Sequence, residues 1–89
     1  MNKAEVKEVA RFIQAYYNRE LKEDEIRAIE IEVSDLSMND FIENIKFPLL
    51  KKVEFFSVAQ LHKIIEEYKE LEEMKRHLGI KSWDELYEN

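Results

Sequence analysis

Apolar positions in this chain recur at helical spacing, most plainly from Phe56 to Leu78. Leu61, Ile64, Tyr68 and Leu71 follow at intervals of three and four, Leu78 falls on the same line, and Val58, Ile65 and Met74 widen the stripe. Ser57 with Gln60 three residues on is the signature of a capping box, and Phe56 and Leu61 occupy the two positions of a hydrophobic staple. Gly79 supplies the left-handed residue that ends such a helix. At 1.5 Å per residue the helix is roughly 30 Å long, against a radius of gyration of about 12 Å for a chain of this size. One end is therefore expected to overhang the body.

Upstream, Asn2 with Glu5 predicts the start of a first helix, and Val6, Val9, Ile13 and Tyr16, flanked by Phe12 and Tyr17, mark its face as far as Tyr17. Asn18, Arg19 and Glu20 read as a turn. The next segment supports two readings. Ile26, Ile29, Val33 and Leu36 fit a helix with Glu23, Asp24 and Glu25 in its first turn, whereas Ile29, Ile31 and Val33 alternate with Glu30, Glu32 and Ser34 as a strand would. Helix is preferred, because a lone strand would have only the short KKVEFF run to pair with.

Leu36, Ser37, Asp40 and Phe41 repeat the staple-and-cap device and predict a short third helix from Met38 to about Lys46, burying Phe41, Ile42 and Ile45 and stopped by Pro48. Residues 47 to 55 then form an unusually apolar connection, with Phe47, Leu49, Leu50, Val53 and Phe55, that either packs into the core or presents a sticky surface, and packing is preferred. Ser82 with Glu85 predicts a last turn or two through Trp83, Leu86 and Tyr87. The expected architecture is one all-α domain over residues 1–89: a compact bundle of about four helices with a long fourth helix and a short C-terminal helix.

Composition narrows the function. With 89 residues, one Gly, one Pro and 38% charged residues beside 45% hydrophobic ones, the chain reads as globular. It has no Cys, which excludes disulfides and thiolate chemistry. Its polar opening and the lack of any apolar run of spanning length suit a soluble, cytoplasmic protein without membrane contact. The net charge of −6 is uneven: residues 20 to 43 hold nine acids against Lys22 and Arg27, a local charge of −7. That balance argues against direct nucleic-acid binding and for a protein partner with basic character.

Candidate chemistry is sparse. His62 with Glu66 and His77 with Glu73 could each offer two metal ligands, but the pairs lie about 20 Å apart on one helix, and surface ion pairs are the simpler reading. Ser37, Ser57 and Ser82 are explained by capping, and no phosphate-cradling loop exists. The expectation is a non-enzymatic chain with no catalytic, metal or cofactor site. Lys63 with Glu67, Lys69 with Glu73, and Glu72 with Arg76 read as a solvated face. Phe12, Tyr16, Tyr17, Phe41, Phe56 and Tyr68 read as interior, while Trp83 and Tyr87 either clamp the tail onto the long helix or anchor a partner.

The stretch FIQAYYNRELKEDEIRAIEIEVSDLSMNDFIENI resembles the N-terminal domain of phage and bacterial replicative helicase loaders, including the helicase loader and inhibitor family. The likeness lies in an opening helix ending in an aromatic pair and a turn (Tyr16, Tyr17, Asn18), and in an acidic helix closing on Leu36 and the capped Ser37. The start of a last helix at FFSVAQLHKI is also similar. It implies a helical bundle that binds a replicative helicase, to deliver it or hold it inactive, without hydrolysing ATP. The expected partner surface is the far end of the long helix, Leu71, Met74, Lys75 and Leu78, with Trp83 and Tyr87. Two other readings stand beside it: self-association of the long helix along a heptad line from Leu61 to Leu78, giving a homodimer, and an acidic inhibitor whose residues 20 to 43 imitate nucleic-acid phosphates.

Overall fold

The computed structural model describes residues 1–79, and among these it is all α-helix: four helices and no strand. Helix α1 spans Lys3–Tyr17 and α2 spans Glu23–Glu32. Helix α3 is composite: an α-turn at Met38–Asp40, a π-helical stretch at Phe41–Lys46 and an α-helical stretch at Phe47–Lys52. Helix α4 spans Val58–Leu78.

The starts and stops follow from the residues at them. Asn2 and Glu5 form the reciprocal capping box, each side chain taking the other's backbone N–H at 2.8 and 3.0 Å. Asn18 ends α1 in the left-handed region at φ 49, which Asn tolerates better than most residues. The Gln14 side chain then accepts the Leu21 N–H at 2.8 Å, turning the chain toward α2. Ser37 and Ser57 accept from the third residue of their helices, Asp40 and Gln60. Gln60 returns its carbonyl to the Ser57 hydroxyl and not to the backbone, so only half of the expected box forms. Gly79 closes α4 at φ 73.

The ambiguity at Ile29 to Val33 resolves as helix. Ile29 and Val33, four apart, are fully buried, while Ile31 is 72% exposed, an outcome that a strand's alternation would not give. Around them the core is wholly apolar: Val6, Val9 and Ile13 from α1, Phe41, Ile45 and Leu49 from α3, and Leu61, Ile64 and Ile65 from α4. Both staple pairs, Phe56 with Leu61 and Leu36 with Phe41, lie in it.

Pro48 does not stop the third helix; the helix runs through it to Lys52. The wider π winding at 41–46 ends just before Pro48 and starts a fresh α-helical segment, so the proline sits in a first turn, where its missing N–H is no loss. The apolar connection is accordingly shorter than expected. Leu49 and Val53 pack into the core, but Phe47 is 68% and Phe55 is 79% exposed. The interior assignment of Tyr16 is also wrong. It lies 55% exposed beside Phe12 and Tyr17, because α1 turns its buried face to Val6, Val9 and Ile13.

Candidate protein-binding surface

Helix α4 is anchored over its first half and free over its second. Leu61 and Ile65 are fully buried and Ile64 nearly so. Among the described residues the last ion pair from α4 to the body is that of Lys69, whose Nζ lies 2.8 Å from Oδ2 of Asp35, in the turn after α2. That bond holds the Asp35 carboxyl below, and the Lys69 ammonium above, their ordinary values. Beyond it the apolar period continues while the body covers less of the helix: Leu71 is 47%, Met74 52% and Leu78 55% exposed. The molecule is 47 Å long and 26 Å by 18 Å across, with a radius of gyration of 14.4 Å, larger than a compact chain of this length would show.

Of the expected partner residues, Leu71, Met74 and Leu78 therefore stand together on one exposed stripe. Lys75 is half-buried, with its Nζ 2.7 Å from Glu72 Oε1, three residues earlier on the same helix. Trp83 and Tyr87, and the short C-terminal helix expected around them, lie outside the described residues. Where the stripe meets the body, Pro48, Lys52, Glu67 and Leu71 border an open cleft of about 200 Å³. Lys52 and Glu67, both in its lining, form an ion pair at 3.4 Å.

The heptad reading is corrected by this burial. Leu61 and Ile64 serve the chain's own core, so only the positions from Leu71 onward are open to a second helix. The pairing of His62 is corrected too. His62 Nδ1 sits 2.7 Å from Glu32 Oε2 on α2, a contact between helices in place of the one expected with Glu66. Among the described residues no three His, Cys, Asp or Glu side chains converge as metal ligands would, and no helix is long and apolar enough to cross a membrane.

Further apolar side chains are exposed against the preferred reading: Tyr16 and Ile42, expected in the interior, and Phe47 and Phe55 of the connection expected to pack. Lys46 caps the Phe12 ring at 4.6 Å, and Lys51 lies 5.9 Å from the centre of Phe47. The available signal was Phe47 itself, an aromatic residue immediately before a proline that the helix passes through.

Compared with models of protein families, with curated proteins and with solved structures, the chain finds no match.

Proposed function

We propose that this chain is a non-enzymatic, cytoplasmic helical adaptor that binds a replicative helicase, in the manner of a helicase loader or inhibitor. The observation that carries the reading is the uncovered apolar stripe of α4, Leu71, Met74 and Leu78 projecting past the body. Exposed apolar side chains at helical spacing, bordered by charged residues, are what a helix offers to a protein groove or to another helix. The likeness of residues 9 to 65 to helicase-loader N-terminal domains supplies the kind of partner, and the acidic segment from Glu20 to Glu43 favours one with basic surface.

The test is capture of purified replicative helicase by the immobilised chain, with Leu71→Glu and Met74→Glu as variants. The expected result is capture by the native chain and a loss of about tenfold or more in affinity with either variant, since burying an unpaired carboxylate at a contact centre is costly. Lys7→Glu, at an exposed position of α1, is expected to bind as the native chain does. Failure of the well-folded native chain to retain helicase, or equal retention by Met74→Glu, refutes the proposal.

A further inference from the structure

The free stripe lies on a helix whose charges are sorted along its length. From Glu66 onward, and setting aside Lys69, whose charge is taken up by Asp35 of the same chain, Glu66, Glu67, Glu70, Glu72 and Glu73 come first, and Lys75, Arg76 and His77 come last. Only a partner helix running the opposite way sets the acidic stretch of one against the basic end of the other.

The body adds a second constraint. On the same side of α4, toward its N-terminal half, Pro48 and Lys52 flank Ile64 and Glu67. A parallel partner would bring its own body, 26 Å by 18 Å across, alongside this one, while paired helices sit only about 8–10 Å apart. An antiparallel partner places the two bodies at opposite ends.

We propose that the overhang of α4 pairs antiparallel with the overhang of a second copy, related by a two-fold axis near residues 72 and 73. This inference rests on the same stripe as the helicase-binding reading and names a further occupant for it. With Leu71 and Leu78 at a positions and Met74 at d, Leu71 of each copy packs on Met74 of the other, and Glu70 faces His77 across the seam on both sides. In that register Leu78 of the second copy arrives opposite Glu67, at the cleft bordered by Pro48 and Leu71, which has room for one aliphatic side chain. The contact is two turns long, so the dimer is weak, and a helicase that takes the stripe displaces the second copy.

Sedimentation equilibrium of the full chain, up to about 1 mM, reads the pairing directly. The expected mass rises from 10.8 kDa toward twice that value, and Met74→Glu stays at the monomer mass. His77→Glu weakens association by about fivefold, since it puts like charges on both symmetric contacts, and Glu70→Lys weakens it by removing from both contacts the carboxylate that accepts from the imidazole. The double variant E70K/H77E restores it to the native strength or better. Because residues 70, 74 and 77 are exposed, circular dichroism is expected to show all variants as helical as the native chain. A native chain that stays monomeric throughout overturns the proposal, and so does a double variant no better than its parents. A monomer that captures helicase removes only the pairing, whereas a rescued dimer that captures none removes only the helicase reading.

Discussion

Tyr17 should report on the whole bundle through one hydroxyl. It sits at the end of α1, with its ring 5.8 Å from Phe56, which leads into α4, and its hydroxyl 2.9 Å from the Val53 carbonyl and 3.3 Å from that of Leu49. The Leu49 carbonyl already accepts the Val53 N–H at 3.0 Å, so the single phenolic proton is best placed on Val53, at the C-terminal end of α3. Tyr17→Phe removes that one bond, keeps the ring, and is expected to cost about 1 kcal/mol, the net worth of a neutral, part-buried hydrogen bond. For a domain of this size that is a drop of roughly 4–8 °C in Tm, or about 1 M in the urea midpoint. Tyr17→Ala also removes the half-buried ring and is expected to cost about 2–3 kcal/mol.

The same residue gives a pH signature. Burial, and next the neighbouring Tyr16, push the Tyr17 hydroxyl above its ordinary value of 10.0. The folded chain then holds a proton that the unfolded chain has lost, so the stability is complete below pH 10.0 and falls as pH rises through the folded value. Tyr68, pushed up by burial and by Asp40, adds to the same alkaline loss. Urea unfolding followed by far-UV circular dichroism from pH 7 to 11 tests both parts. Tyr17→Phe should be less stable at pH 7 and lose stability less steeply above pH 10. A Tyr17→Phe chain as stable as the native one at neutral pH, with an unchanged alkaline limb, refutes the account.

Leu61→Ala, which empties a fully buried staple position, is expected to cost about 3–4 kcal/mol, while Met74→Ala on the overhang stays within about 0.5 kcal/mol, both by chemical denaturation. At Asn18, φ 49 is open to Gly but strains a β-branched residue: Asn18→Gly should leave Tm within a degree or two, and Asn18→Val should cost about 1–2 kcal/mol. The acid limb depends on Glu25, held low by its hydrogen bond from Arg19, and on Asp35, held low by its bond from Lys69. Their contribution is present above the ordinary values of 4.5 and 3.8 and is lost as pH falls through the lower folded values. Both pairs are solvent-screened, so E25Q/D35N should flatten the limb between pH 5 and 2 by about 1 kcal/mol at most.

Much of this fold could be read from the residues because local signals and burial agree at most helix ends. Asn2, Ser37, Ser57 and Gly79 sit where their side chains or backbone freedom satisfy end groups, and each staple pair is buried. At Ile29 to Val33 two periods fitted the same letters, and the core chose between them by taking Ile29 and Val33 and leaving Ile31 in solvent. The failures have two causes. Tyr16, Phe55 and the His62–Glu32 contact depend on where neighbouring helices lie, which no one-dimensional pattern contains, whereas Pro48 turns on local winding. A proline rule assumes an α-helical turn before it, and a π turn removes the assumption. Of the candidate surface, Leu71, Met74 and Leu78 were legible as apolar positions on a helix too long for its body. Their exposure could be inferred only from length.

That length is what turns a pattern into a surface. At 1.5 Å per residue, α4 runs about 31 Å, α1 about 22 Å and α2 about 15 Å, so the shorter helices leave the end of α4 without cover. A helix that merely extended into water would be expected to turn polar all round once past its last core contact, near Ile65 and the Lys69–Asp35 tie. This one keeps apolar residues at the same three- and four-residue intervals for two more turns, through Leu71, Met74 and Leu78. Those three side chains contribute little to holding the monomer together. Their spacing is the spacing that covers a surface, and among the described residues only the cleft beside Pro48 reaches it, at Leu71. The same excess length therefore leads both to the helicase-binding proposal and to the antiparallel pair. The two differ only in whose side chains come to lie against Leu71 and Met74.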